Sequence, residues 1–386
     1  MVNNNFYGVI NSLISQATAG GLTATSYDTF IDAGKAINAN INFQNGFLNA
    51  LMNKLALSID TYRAYTGKYK ELDKGTLGAG NTVEMVMGTF YNTQAAAFGA
   101  SLTNGASVDQ YVVQKPDFVA RYFVDTNTFS IGKTIERTEL LKAFESPEAM
   151  DTFIRNITGY MLNSVERARE LGRVGLVAGA IIDGIWKATD DSSAAVTTNE
   201  NSIYYKLGTA YATETGNAAP TTVAEALNDK DFVLYAVASI KKIRDRMTDP
   251  TNKFSESGAA ITFTPEENSH LFISSALETA MDTYIYNNNY RPDRSMLRDY
   301  IPVLYWQSED NPFSVDGTGN TSTTAVTNDN VIAFVCDDWA LRCYNRLQSM
   351  ETTPYNARGR YWNVFANNEV MYIDNKDANR VVFTID

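Results

Sequence analysis

Residues 146–186 read SPEAMDTFIRNITGYMLNSVERARELGRVGLVAGAIIDGIW, and this stretch decides the fold. Ser146, Pro147 and Glu148 stand in the order of a helix start: a hydroxyl to cap, a proline where its missing N–H does no harm, and an acid at the positive end of the helix dipole. Met150, Phe153, Ile154, Ile157, Met161, Val165, Ala168, Leu171 and Gly175 then keep helical spacing to about Trp186. The spacing predicts an element of about 40 residues, ~60 Å at 1.5 Å per residue, where an ordinary globular helix has about 11–12. Gly172, Gly175 and Gly179 are candidate positions for a kink or a break into two helices.

Upstream of this helix, residues 1–45 alternate short apolar clusters with Asn, Thr, Gly and Ser and hold no durable period, so they are expected to be extended. Phe43–Leu57 carries apolar residues at helical spacing, leading into a strand at Ile59–Tyr65. From Lys68 the chain turns polar and glycine-spaced, with alternating segments such as Thr82-Val83-Glu84-Met85-Val86-Met87, the pattern of a long β-hairpin or excursion. Its few apolar residues cannot build a core of their own, so it needs a neighbouring surface to lie on.

Downstream, Asp190–Pro220 reads as loop with short strands. Thr222 and Glu225 have capping-box spacing before a helix whose apolar face is Val233, Val237, Ile240, Ile243 and Met247, stopped at Asp249-Pro250. A strand at Ala260–Phe263 is expected to run into Thr264-Pro265-Glu266-Glu267, a second capping box that opens a helix to about Ile285. Ile301–Trp306 and Val331–Val335 read as buried strands around a surface loop at Asn311–Asn330. From Trp339 onward the alternation is that of antiparallel strands, with the chain's end returning to the sheet beside the long helix.

Composition excludes several function classes. The 386 residues are 44% hydrophobic and 20% charged, with 22 Tyr and 19 Phe, a globular balance suited to β-rich packing and protein contacts. With 32 Lys plus Arg against 44 Asp plus Glu the net charge is -12, unsuited to gripping phosphate. The N-terminus lacks a basic and apolar leader, and no stretch approaches the ~18 apolar residues of a membrane span, so a soluble protein made in a cytoplasm and away from membranes is expected.

Chemistry-bearing motifs are absent or bland. Cys336 and Cys343 lack the CxxC spacing of a metal or redox site and read as reduced core thiols. The single histidine, His270, has no nucleophile elbow to serve and reads as a structural or surface residue on the helix from Thr264. Gly75-Thr76-Leu77-Gly78-Ala79-Gly80 lacks the Gly-Lys-Ser/Thr ending of a phosphate loop. The acidic doublets Asp190-Asp191, Glu266-Glu267 and Asp337-Asp338 are explained by helix starts and loops better than by paired-carboxylate hydrolysis. Lys68, Lys70 and Lys74, with Arg358 and Arg360, are either isolated surface charges or contacts between subunits. No catalytic residue, cofactor site or metal site is assigned.

These pieces resemble the Hong Kong 97-type capsid fold, an α+β architecture with an N-terminal arm, an extended β-hairpin loop, a long spine helix and an inserted axial lobe. Asp338-Trp339, Tyr344, Leu347, Met350-Glu351-Thr352, Arg358-Gly359 and Tyr361-Trp362-Asn363 resemble the head proteins of small podoviruses of the phi 29 group. So do Lys74-Gly75, Leu77-Gly78 and Thr82-Val83-Glu84, and Thr134-Ile135, Leu141-Lys142-Ala143-Phe144, Phe153, Ile157 and Asn163-Ser164. The resemblance covers roughly residues 65–175 and 335–365; the lobe at about 188–330 matches only in general plan.

The resemblance implies a division into residues 1–65 (arm, first helix and strand), 66–120 (extended loop), 121–187 (peripheral domain with the spine helix), 188–345 (axial domain) and 346–386 (return to the peripheral sheet). It also implies a major capsid protein, not an enzyme, that assembles in the host cytoplasm into pentamers and hexamers of an icosahedral or prolate head. Its partners would be other copies of itself, a scaffolding protein, a portal protein and enclosed double-stranded DNA bound without sequence specificity. An encapsulin-like cellular compartment is the alternative within the shell class. A secreted acidic hydrolase should carry a leader and a defined carboxylate site, and a tail or adhesin protein should carry fibrous repeats.

Overall fold

The computed structural model describes residues 4–18, 21–55, 64–78, 80–88, 104–105, 118–189, 202–286 and 297–385. In chain order its first elements are α1 (Asn4–Thr18), α2 (Tyr27–Ala39), α3 (Ile41–Leu55), β1 (Asp73–Thr76), β2 (Val83–Gly88), β3 (Phe118–Phe123) and β4 (Asn127–Glu136). Then come α4 (Arg137–Ala143), α5 (Pro147–Thr189), β5 (Tyr204–Lys206), α6 (Leu207–Thr215), α7 (Val223–Asn228) and α8 (Lys230–Arg246). The last are β6 (Ser269–Ser274), α9 (Ser275–Met281), β7 (Tyr300–Val303), β8 (Val315–Gly317), β9 (Val326–Asn328), β10 (Val331–Asp337), β11 (Leu341–Thr352), β12 (Tyr361–Asp374) and β13 (Arg380–Thr384).

The long helix forms as its start signals require. Ser146 Oγ accepts from the Ala149 N–H at 3.1 Å, and α5 then runs 43 residues, ~64 Å, without a break. Its glycines are not hinges. A Cβ built at Gly172 would fall 2.1 Å from the Tyr372 hydroxyl, so glycine there admits the close approach of β12.

The chain divides into two compact units. Unit 1 comprises Met1–Asn81, Asp125–Gly172 and Cys343–Tyr372. It holds a four-stranded sheet ordered β1-β11-β12-β4, with β1 parallel to β11 and β12 antiparallel to β4 from Tyr361↔Glu136 to Val370↔Asn127. Met150, Ile154, Ile157, Met161 and Val165 of α5 pack with Ile135, Trp362, Val364 and Ala366 of this sheet. Ile10, Leu13, Ile14, Phe30, Ile37, Phe47 and Leu51 of the first three helices complete the same core, each such side chain contributing about 1.5–3 kcal/mol on burial.

Unit 2 comprises Thr82–Val124, Arg173–Arg342 and Ile373–Asp386. Its five-stranded mixed sheet is ordered β5-β13-β10-β6-β7, and every residue of β10 is buried, as a central strand requires. Phe232, Val233, Val237, Ile240 and Ile243 of α8 cover one face against Leu271, Ile273, Val335, Val381 and Phe383. The β2–β3 hairpin, in register from Val83↔Phe123 to Gly88↔Phe118, also belongs to this unit. Splitting the chain's 32 basic and 44 acidic residues by unit leaves 15 of each in unit 1, against 17 basic and 29 acidic in unit 2. The whole net charge of -12 therefore sits on unit 2.

Several expectations are corrected. Residues 1–45 are not extended: Asn4–Thr18 and Tyr27–Ala39 are helical, the second opened by a Ser26–Thr29 capping box, and their apolar residues join the unit 1 core. Tertiary burial supplied what a weak local period could not. Thr264-Pro265-Glu266-Glu267 gives only a 3-10 turn at Glu266–Asn268, after which Ser269–Ser274 is strand β6, buried between β10 and β7. The Thr264 hydroxyl, expected to cap, donates instead to Asp337 at 2.5 Å.

Thr222 does cap, accepting from the Glu225 N–H at 3.2 Å, but a second cap at Asp229 splits the helix into α7 and α8. Ala260–Phe263 forms only a bridge from Thr262 to Thr251, and Leu207–Thr215 is helix where loop was expected. The chain's end does return beside the long helix, in two places: β12 joins the β1-β11-β12-β4 sheet, whereas β13 pairs with β10 and β5 in the other sheet, with Val382 against Gly184 of α5. Residues 59–63 of the strand expected at Ile59–Tyr65 lie outside the described residues, while Ala64 and Tyr65 are not in a strand; most of the excursion's outer part, 89–117, also lies outside them.

Candidate functional site

The five basic residues singled out in the sequence fall into two separate places on unit 1. Lys68 and Lys70 are exposed beside β1, and Lys74 is half-buried within it. The backbone around them is anchored on α5: the Tyr65 N–H donates to Asn163 Oδ1 at 2.9 Å and the Tyr69 N–H to Glu170 Oε1 at 3.1 Å. A Cβ at Gly67 would overlap the Glu170 carboxylate, so this segment lies directly on the helix. β1 then pairs with the start of β11 at Asp73↔Cys343.

Arg358 and Arg360 stand at the other end of β11, beyond Thr352. Nine residues of strand, ~30 Å, separate them from the lysines. Their turn is tightly organised. Asn356 Oδ1 accepts from the N–H groups of Arg358 (3.1 Å) and Gly359 (3.0 Å), the Arg360 N–H donates to Asn356 O at 2.7 Å, and Arg360 O accepts from Arg137 N. Arg360 takes a left-handed φ of 56°, which costs a non-glycine residue about 1–2 kcal/mol. Both side chains are exposed, and neither is in an ion pair among the described residues.

His270 lies on β6 opposite Cys336, not on a helix. Its Nε2 is 2.9 Å from Asp338 Oδ1, Arg342 holds the other Asp338 oxygen at 2.6 Å, and that guanidinium lies 4.6 Å from the Trp339 ring centroid. The arrangement ties β6 to the β10–β11 turn. Asp337 next to it is buried, accepts from Thr264 and from Trp339 N, and is pushed above the usual carboxylate range by that burial. Cys336 and Cys343 are buried and not joined in a disulfide. The described residues contain no group of three or more His, Cys, Asp or Glu placed to hold a metal, and no helix long and apolar enough to cross a membrane.

Sequence reasoning missed a buried charge cluster in unit 2. Arg380, fully buried at the head of β13, pairs with Asp374 at 2.7 Å and with Glu256, and Lys376 reaches Glu256 at 3.6 Å. Asn320 Nδ2 donates to Asp374 at 2.7 Å, and the Thr321 and Ser322 N–H groups donate to Asp183 of α5. Arg121 of β3 pairs with Asp377, so the hairpin stem is fastened to the same connection. Burial pushes Asp374 up to about 7 and Arg380 down to about 10. The available signals were one Asp inside the most apolar part of α5 and one Arg at the head of the last apolar strand.

What the arrangement offers among the described residues is fixed cross-ties and exposed, preorganised charge on the β11–β12 turn, without a nucleophile and base converging on a cavity. Residues 10–384 match the family model described as Phi29-like phage major capsid protein. The chain belongs to that family. Major capsid proteins of Bacillus phage B103 and Bacillus phage PZA are similar to it, the first 23% identical over 98% of this chain and 72% of the relative, the second 22% identical over 92% and 67%. Among solved structures, the capsid of Staphylococcus phage Andhra matches with a TM-score of 0.53 at 11% identity over 84% of this chain and 85% of that one. A chain from native bacteriophage P68 also matches at 0.53, with 8% identity over 85% and 87%. This phage major capsid protein thus has the Hong Kong 97-type α+β fold, and the resemblance read from Asp338-Trp339 through Tyr361-Trp362-Asn363 identified its family.

Proposed function

We infer that this capsid protein is a purely structural subunit that assembles into pentamers and hexamers, on a scaffolding protein in the host cytoplasm, to form a head filled with double-stranded DNA through a portal. The match of residues 10–384 to the family carries the reading. The physical layout supports it: each of the two compact units has its own apolar core, and rings of copies joined by many modest contacts are individually reversible and collectively strong. The net charge of -12 suits a wall that encloses DNA without adhering to it. Residues 66–120 serve as a loop reaching toward an adjacent copy, and Lys68, Lys70, Lys74, Arg358 and Arg360 contact neighbouring copies.

The test is electron microscopy of the protein expressed alone and with a scaffolding protein, with the nucleic acid and protein content of phage-derived particles measured. Closed shells that hold double-stranded DNA support the reading. Particles loaded with a cellular enzyme instead would place the chain with encapsulin-like compartments.

A further inference from the structure

Unit 2 carries an acid-flanked aromatic cavity that nothing above uses. It has a volume of about 300 Å³ and is lined by Val86, Ile261, Phe263, Pro265, Asn268 and Trp339. Val86, Phe263 and Trp339 are 50%, 49% and 40% exposed, a large apolar display for one spot on a soluble surface. Between the lining residues Pro265 and Asn268 the 3-10 turn holds Glu266 and Glu267 exposed, and neither carboxylate is in an ion pair among the described residues. The cavity therefore fits a cationic group whose stem or neighbours are apolar.

Resting on the shell reading above, we propose that this cavity receives the Arg358-Gly359-Arg360 turn of a second copy. Charge complementarity selects that occupant. A unit with 29 acidic and 17 basic residues repels its own kind and favours contact with the neutral unit 1 of a neighbour. On unit 1 the turn presents two exposed guanidinium groups without ion pairs, on a backbone already fixed by Asn356, so little order is lost on docking. Arginine also suits the site chemically, because it can meet Glu266 or Glu267 while its plane stacks on the half-exposed Phe263 ring. The contact is heterologous, one patch on one copy and a different patch on the next, as ring and shell closure require.

The experiment is a charge exchange. Arg358→Glu with Arg360→Glu, and separately Glu266→Lys with Glu267→Lys, should each leave the subunit folded by circular dichroism and lower particle yield about tenfold or more, through like-charge juxtaposition. The four substitutions combined should restore particles. As a second readout, Arg360→Cys with Glu267→Cys should form covalent multimers in assembled shells under mild oxidation, since Cys336 and Cys343 are buried and do not compete. Particles that form normally with both reversals, a combined variant that does not assemble, or a double-cysteine variant that forms no covalent multimers in assembled shells, overturns the docking. A wild type that forms no particles, alone or with a scaffold, overturns the shell reading and the docking with it.

Discussion

Arg380 donates to Asp374 at 2.7 Å from a guanidinium with no solvent exposure, which clamps the end of β12 to the start of β13. Glu256 meets the same guanidinium from a distant part of the chain. A buried pair of this kind adds little to net stability over an apolar pair, but breaking it by removing one partner leaves an uncompensated buried charge. At pH ~8, where Asp374 has lost its proton, Arg380→Met should therefore destabilise unit 2 by about 3–5 kcal/mol in denaturant unfolding. A loss below about 1 kcal/mol would show that water or Lys376 already neutralises the two carboxylates.

The same cluster gives a pH dependence. Burial holds Asp374 at about 7 when folded, against an ordinary value near 3.8. Between those values the folded chain keeps a proton that the unfolded chain releases. Stability from this group is thus fully present below the ordinary value and lost as pH rises through about 7. Thermal melts should show the midpoint falling from pH ~5 to pH ~8, and Asp374→Asn should flatten that fall. A slope unchanged in the variant would assign it to other groups.

In the unit 1 core, Ile157 is buried between α5 and the Trp362 region, whereas Phe153 is only half-buried beside it. Ile157→Ala should cost about 2–5 kcal/mol, and Phe153→Ala clearly less, because part of that ring already meets water. Chemical denaturation of both variants checks the order. The reverse order would put the helix a few tens of degrees from its described rotation.

Reversing Lys68, Lys70 and Lys74 to Glu should leave the subunit folded, since Lys68 and Lys70 are exposed and the backbone there is held by Asn163 and Glu170. Shell formation should weaken, most at low salt, where repulsion from acidic neighbours is least screened. Each exposed pair is worth only about 0–1 kcal/mol but recurs at every interface. Light scattering during assembly at two ionic strengths reads the effect; equal assembly at both would remove these lysines from the interface.

The parts of the fold legible in the sequence are those where local and tertiary preferences agree. Ser146-Pro147-Glu148 opens α5, and Val331–Val335 is a continuous apolar run that becomes a central strand. Where they conflict, burial wins. Thr264-Pro265-Glu266-Glu267 has every local mark of a helix start, yet Leu271, Phe272 and Ile273 are needed on both faces of a sheet, so His270 ends on a strand. The N-terminal helices show the converse, weak periods fixed by a shared core.

Candidate interface residues were legible as residue types and not as places. Nothing in the spacing of Lys74 and Arg358 reveals that β11 holds them ~30 Å apart. The Arg380–Asp374–Glu256 cluster was invisible because its members lie far apart in sequence and meet only through the fold.

Cryo-electron microscopy of particles formed by the expressed protein with its scaffolding protein tests the central claim most directly. Closed shells in which one copy of the chain repeats as pentamers and hexamers are expected. Folded monomers, or open aggregates without such rings, at concentrations where related capsid proteins assemble would contradict it.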